Sequence, residues 1–340
     1  MYLDGFIIPP VNSHKHLGFV LDKNLSFDEH VYSLSAKIQK KLNPLKRLSY
    51  DTKSYHLNTI FRSFIFPHYD YCDVIYASAS QKALDTLDQT YYSAALIVSG
   101  CIRGSSTQKV LNILNWEFLR DRRVERQKIY MFKVRHGMSP SYVTSIFQNF
   151  VTIPNRVLRN HRPYSIDAHS SSKIRKSPVF RLLDIWNNTR ADHRDIHVMS
   201  SFKSKTRIRN VAIKMSTVNL KNLNRKEELC LNRLRVDRLL KSHLYSHNFL
   251  DVPTPNCKHC KVTCSTSHFL LQCRHPAHRA HIDYLLHHLQ DIGADNLFNR
   301  LRLSEKVNLL LFGHDSLDSV INNSIILKVS KFIVSYYKIL

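Results

Sequence analysis

The stretch CKHCKVTCSTSHFLLQC, residues 257–273, gathers four of the chain's seven cysteines and two histidines within seventeen positions. Cys257 and Cys260 have two residues between them, a spacing that lets two thiolates take adjacent corners of one tetrahedron. His268 and Cys273 follow, with four residues between, so the pattern is C-x2-C-x7-H-x4-C, that of a closed structural zinc site. If FLLQ is helical, residues five positions apart converge only loosely, while Phe269, Leu270 and Leu271 anchor the segment against the body. Cys264 is a further thiol able to replace Cys260 or His268, and His259 and His275 are additional imidazoles nearby. A mixed sulfur and nitrogen set without a four-cysteine cluster spacing favours zinc over iron.

Outward from this stretch the pattern is helical. Regular structure is expected from Arg225, where KEELCLNRLRVDRLLKSHLY carries an apolar stripe through Leu229, Leu234 and Leu239. Pro276 suits the first turn of a helix through HRAHIDYLLHHLQ, and INNSIILKVSKFIVSYYKIL is apolar enough to pack as a closing helix. Nearer the amino terminus, Ser26 with Glu29 reads as a capping box, and Phe27, Val31, Leu34 and Ile38 recur at helical spacing until Pro44 bends or ends the helix. Further helices are expected from Thr52 to near Pro67, from Ser80 to Gly100, from Thr107 to Leu114, and from Glu117 to Gly137. Before them, the apolar stretches GFII and HLGFVL flank PPVNSHK, a pattern suited to a hairpin with its turn between.

The expected fold is therefore mainly α. It has a short amino-terminal β-hairpin (1–24), a helical bundle (25–150), a basic connector with short elements (151–223) and a helical carboxy-terminal region (224–340) containing the knuckle 257–273. With 340 residues and 43% hydrophobic content, two or three cores are expected. Cys72, Cys101 and Cys230 are scattered, which argues against a disulfide framework, and no apolar run approaches membrane-spanning length. An intracellular protein without a membrane segment is expected, in nucleus or cytoplasm.

Lys and Arg number 50 against 26 Asp and Glu, a net charge of +24, which makes nucleic acid the first candidate partner. The excess is uneven, with 21 basic and 7 acidic residues between Thr152 and Lys241. The basic positions assigned to phosphate contact are Arg120, Arg122, Arg123, Arg126 and Lys128 in the long helix, Lys205, Arg207 and Arg209 in the connector, and Lys258, Lys261 and Arg274 at the knuckle. Catalytic chemistry has no comparable signal. Phosphate-cradling, zinc-protease and serine-hydrolase motifs are absent, and no two aspartates are adjacent. Asp70 and Asp73 in FPHYDYCDVIY read as hydrogen-bonding groups beside buried tyrosines rather than ligands of two catalytic ions, so no catalytic residue is assigned.

The segments KHLGFVLDKNLSFDEHV, FIFPHYDYCDVIYASAS, STQKVLNILNWEFLRDRRVERQKIYMFKVRHGMSPSYV, FRLLDIWNNT and LNRLRVDRLLKSHLY, followed by the knuckle, resemble in this order the carboxy-terminal third of non-LTR retrotransposon reverse transcriptases of the jockey and related groups. The resemblance covers nearly the entire chain. It implies that His16, Leu17 and Gly18 match the strand pair closing the palm, that a helical thumb gripping the primer-template duplex follows, and that Trp116, Arg122 and Arg123 match the helical part after it. Cys257, Cys260, His268 and Cys273 match a zinc-bearing segment thought to engage template RNA or target DNA. In that family the catalytic aspartates lie in a preceding palm, and their [FY]-x-D-D signature has no match here.

The expectation is a non-catalytic carboxy-terminal fragment of an RNA-directed DNA polymerase, with Met1 an internal start of a longer frame. Its cofactor is structural Zn2+. Its partners are RNA and/or DNA, as template-primer duplex or element RNA, with a separate polymerase portion as a further partner. Two other readings stand beside it: a helical structural or adaptor protein stabilised by zinc, and a reverse transcriptase subunit active only with a separate palm.

Overall fold

The computed structural model describes residues 2–3, 6–7, 9–151, 162–165, 177–207, 222–249 and 252–337. Two antiparallel strand pairs open the chain: β1 (Tyr2–Leu3) with β2 (Phe6–Ile7), and β3 (Ser13–His16) with β4 (Phe19–Asp22). In the second pair His16 faces Phe19, which leaves Leu17 and Gly18 as a two-residue turn at φ 47° and 84°. Two successive left-handed residues match the right-handed twist of the flanking strands. The turn of this hairpin is therefore LG, not PPVNSHK: the Pro-Asn-Ser cluster precedes β3, and HLGFVL folds back on itself.

The main helices follow the 3.6-residue periodicity, with three local departures. Helix α1 (Asp28–Leu48) starts under the Asp22 carboxylate, which accepts from the N–H groups of Asn24, Ser26 and Phe27 at 3.0, 3.1 and 2.7 Å. Glu29 accepts from the Ser13 hydroxyl at 3.1 Å instead of closing a capping box with Ser26. Pro44 lies inside α1 without ending it. Leu42 and Leu45, each 1% exposed, hold that turn by packing although it lacks one N–H donor. The next helix, α2 (Ser54–Ile60), widens into a π turn at Phe61–Ile65 before α3 (Pro67–Asp70) and α4 (Asp73–Tyr76).

Four longer helices come next: α5 (Gln81–Ser99), α6 (Thr107–Leu114), α7 (Leu119–Arg135) and α8 (Ser141–Gln148). The connector supplies α9 (Pro178–Asn187), α10 (Ala191–Arg194) and α11 (Met199–Thr206). The remainder is α12 (Arg225–Arg235), α13 (Lys241–Tyr245), α14 (Pro276–Asp291), α15 (Asp295–Arg300), α16 (Leu303–Phe312) and α17 (Ser319–Tyr337). Among the described residues no helix is long and apolar enough to cross a membrane.

The chain forms two compact units, each from three segments. The first is Met1–Lys41, Ile65–Tyr91 and Glu117–Asn210; the second is Leu42–Phe64, Tyr92–Trp116 and Val211–Leu340. In the first, α7 packs on α4, α9 and α11, burying Met131, Phe132, Trp186 and Phe202 completely. In the second, α12 packs along α17, and Leu231, Leu234, Leu309, Ile325 and Val329 share one core. Phe61 stacks on Trp116 at 4.5 Å in this unit, and the Trp116 indole N–H donates to Asn58 at 3.1 Å.

Helix α12 departs from its amphipathic reading. Eight of its eleven residues are buried, among them Arg225, Glu227, Glu228, Asn232 and Arg235. Its start is a reciprocal capping box in which Asn224 accepts from the Glu227 N–H and Glu227 from the Asn224 N–H, both at 2.9 Å. Arg225 spreads its donors over Ser49 O (3.0 Å), Ser54 Oγ (2.8 Å), Val98 O and Ile97 O (both 3.2 Å) and Glu228 (3.3 Å). Glu228 in turn accepts the Ser54 N–H at 2.9 Å. One side chain thus satisfies the ends of α1 and α5 and the start of α2. Gly100, at φ 73°, permits this approach: a Cβ there would lie 1.9 Å from the Leu229 side chain.

Replacing Arg225 by Met should destabilise the protein by about 3–5 kcal/mol, because it strands a buried carboxylate along with four other acceptors. Lys at this position should not restore stability, since an ammonium lacks the planar fork. Denaturant midpoints of the two variants against the parent check this; a loss below about 1 kcal/mol for Arg225→Met contradicts it.

Candidate metal centre and basic surfaces

The knuckle is built by its backbone. Asn256 and Thr263 form an antiparallel bridge, the Cys257 N–H donates to Val262 O at 2.8 Å, and the Lys261 N–H donates to Cys257 O at 3.0 Å. Lys261 takes φ 57°, which closes the turn and brings Cys257 and Cys260 to one side. The second half uses a π turn, His268–Gln272, that ends at Cys273. In an α-helix, residues five apart are about 140° apart around the axis. A π turn closes with i to i+5 hydrogen bonds and brings such residues nearer together. This resolves the loose convergence expected of His268 and Cys273.

One ligand atom from each of Cys257, Cys260, His268 and Cys273 lies within 4.8 Å of the others, a compact Cys-Cys-His-Cys cluster consistent with a structural Zn2+ site. The Cys260 and Cys273 sulfurs are 3.9 Å apart. Two thiolates on one zinc with arms of about 2.3 Å stand about 3.8 Å apart. His268 is 5% exposed, and its buried Nε2 has no hydrogen-bond partner within the protein. An orphaned imidazole nitrogen beside three sulfurs fits a metal ligand. Cys264 is excluded from the cluster and buried instead in the core with Phe269 and Leu270.

The electrostatics lead to the same chemistry. Burial raises the Cys257 thiol, yet N–H groups of Cys260 and His259 and the neighbouring thiols outweigh it and leave Cys257 below its ordinary range. Burial and the charge of Cys257 push Cys273 up to about 12, and the same two causes push Cys264 up to about 11. A divalent cation among these sulfurs would offset their mutual repulsion and favour the thiolate forms. Burial also lowers His268, favouring the neutral form that ligates. The site has no open position, so its chemistry is structural: it would pin the knuckle turn to the segment before α14.

The long-helix arginines are committed elsewhere. Arg122 forms a two-pronged pair with Asp70 at 2.9 and 2.7 Å, Arg123 meets Asp88 at 2.9 Å, and Arg126 reaches Asp73 at 2.5 Å. Arg123 is 5% exposed at the side chain, and Arg122 also lies over the Phe66 ring. Lys128 is half-buried, which lowers its pKa. Arg120 points outward, 68% exposed.

Beside these pairs Tyr69 and Tyr76 are fully buried; Tyr76 donates to Tyr69 O, and the Tyr69 and Thr90 hydroxyls are 3.0 Å apart. In the connector, Lys205 is exposed, Arg207 pairs with Glu117 at 2.7 Å, and Arg209 lies outside the described residues. At the knuckle, Lys258, Lys261 and Arg274 are all exposed, and the Arg274 N–H donates to Cys260 Sγ at 3.2 Å. Spacing gave no warning of the carboxylates that take the α7 arginines, because Asp70, Asp73 and Asp88 come from α3, α4 and α5.

Two outcomes are expected. Native mass spectrometry should find one zinc per chain, lost in Cys257→Ser and Cys273→Ser and kept in Cys264→Ser; loss in the Cys264 variant alone overturns the ligand set. Separately, burial raises Asp73 from 3.8 to about 6 against the pull of Arg126. The folded state therefore holds this proton more tightly than the unfolded chain. The contribution is fully present below about pH 4 and is lost as pH rises through about 6. Asp73→Asn should flatten that part of the stability profile, measured by denaturant midpoints; a profile parallel to the parent's contradicts it.

Comparison with known proteins finds a distant, partial homology to a transposon-associated, reverse-transcriptase-like protein. The "Probable RNA-directed DNA polymerase from transposon X-element" of Drosophila melanogaster is 24% identical over 108 residues, which is 30% of this chain. The chain spans about 12% of the length of that relative. No family model matches the chain, and no solved structure matches it.

Proposed function

We propose that this chain is a nucleic-acid-binding, non-catalytic relative of the carboxy-terminal part of a non-LTR retrotransposon reverse transcriptase, with a structural zinc in its knuckle. The observation that carries the reading is the Cys-Cys-His-Cys cluster with exposed Lys258, Lys261 and Arg274 around it, in a chain of net charge +24. The partial similarity to a transposon polymerase supports it. In this reading residues 25–150 correspond to a thumb and 224–340 to the zinc-bearing segment. RNA or DNA is held through phosphates, largely without regard to sequence. Asp70 and Asp73 already bind Arg122 and Arg126, which favours a structural role for them over ion binding.

The pairing of Arg122, Arg123 and Arg126 favours a second reading for that helix, a scaffold whose charges lock its own fold. Salt dependence separates the two. The zinc-loaded chain should bind labelled RNA or DNA with a slope of log K against log salt steeper than about −2, corresponding to three or more phosphates on a single strand. Absence of binding, or affinity indifferent to salt, overturns the nucleic-acid reading and leaves the scaffold.

A further inference from the structure

Beside the knuckle, the second unit holds a groove of about 960 Å³ whose lining, among the described residues, includes Arg233, Arg238, Lys241, Lys258 and Lys261 and no carboxylate. Leu239, Leu244, Val252 and Pro253 give it an apolar floor. The two arginines are fixed by backbone carbonyls: Arg233 Nε donates to Gly100 O at 3.1 Å, and Arg238 donates to Gly104 O. Arg233 is half-buried and Arg238 buried. Among the described residues none of the five cations has a carboxylate within ion-pair distance; the adjacent Asp237 is taken by Lys109, with His243 3.7 Å away.

Five like charges around a concavity focus a positive field that only a polyanion neutralises efficiently. The segment that supplies Lys241 and Leu244 to the lining also exposes rings. Tyr245 and Phe249 are 47% and 43% exposed, and the Phe249 N–H donates back to the O of Leu244, a lining residue, at 3.2 Å. Positive walls with exposed aromatics are the means by which proteins hold single strands, whose bases are free to stack; a duplex keeps its bases inside and offers such a floor nothing.

We propose that this groove binds one strand of nucleic acid, with phosphates on Lys241, Lys258 and Lys261 and bases on the apolar floor, Tyr245 and Phe249. The inference rests on the nucleic-acid reading above and adds the surface and the strandedness. It also gives the metal centre a consequence for binding. Lys258 and Lys261 stand on the turn between and after Cys257 and Cys260, so zinc sets the position of two of the five charges.

The test uses the full zinc-loaded chain and fluorescence anisotropy with 15-nucleotide oligouridine, oligothymidine and a mixed-sequence duplex. The triple variant K241Q/K258Q/K261Q should lose at least tenfold in single-strand affinity and about 2 units of salt slope, at roughly 0.7 per phosphate contact. Tyr245→Ser should weaken binding at least fivefold with the slope unchanged, as removal of a stacking ring does. K37Q/K40Q/K41Q, exposed on α1, should bind as the parent does. If the triple variant loses zinc, Lys241→Gln, which lies outside the knuckle, replaces it with a slope loss of about 0.7.

A parent that binds with the triple variant unaffected removes the groove and leaves the proposed function. A parent that binds no probe removes both. Tighter binding of duplex than of either single strand overturns the single-strand assignment, and the ratio of oligouridine to oligothymidine affinity identifies RNA or DNA as the natural strand.

Discussion

The pair Arg225–Glu228 is the constraint around which the second unit is organised. A buried ion pair is a poor source of net stability, because desolvating both charges offsets most of their attraction. Its value here is that every donor of the guanidinium needs an acceptor, and the acceptors come from chain as far as 176 residues away. Ser49, Ser54, Ile97 and Val98 accept from it together. Gly100 holds φ 73°, a conformation that favours glycine, and a β-carbon there would displace the Leu229 side chain. Specificity, more than energy, is what this pair supplies.

The metal cluster plays a comparable part on a shorter stretch of chain. The turn exposes Lys258, Lys261 and Val262 while Cys264, Phe269 and Leu270 are buried in the second unit's core, so a metal held by the four ligands would clamp the exposed turn to the anchored π turn. Charge is divided in a similarly uneven way. Asp70, Asp73 and Asp88 pair with Arg122, Arg123 and Arg126 within the first unit, whereas among the described residues no carboxylate lines the groove by the knuckle. The net charge of +24 therefore does not by itself locate an uncompensated cationic surface; the local balance of carboxylates is the better guide.

Much of this architecture was legible in the residues. Helical periodicity located α1, α5, α6, α7, α14 and α17, and ligand spacing located the cluster, because both signals are local. The misreadings have non-local or geometric causes. PPVNSHK has the composition of a turn, but strand twist selects Leu17-Gly18. Pro44 breaks helices in isolation, yet packing of Leu42 and Leu45 carries α1 past it. Glu29 was available to Ser26 in sequence and found Ser13 in space. The buried Arg225, Glu228 and Arg235 run against the usual exposure of such residues, and nothing short of the assembled bundle reveals their partners. The π turn that makes His268 and Cys273 converge has no compositional mark.

The interleaving of the two units also fixes an order of events during synthesis. Every segment of the first unit has been synthesised by Asn210, while the second still lacks everything from Val211 onward. Until α12 emerges, residues 42–64 and 92–116 have no partner for the carbonyls that Arg225 will take or for the Ser54 N–H that Glu228 will accept, 174 positions downstream. Such late closure of distant contacts slows folding and leaves apolar helix faces open to chaperones and proteases in the interval. A product terminated early between Asn210 and Arg225 would carry a completed first unit attached to two stranded segments, and quality control would recognise it as unfinished.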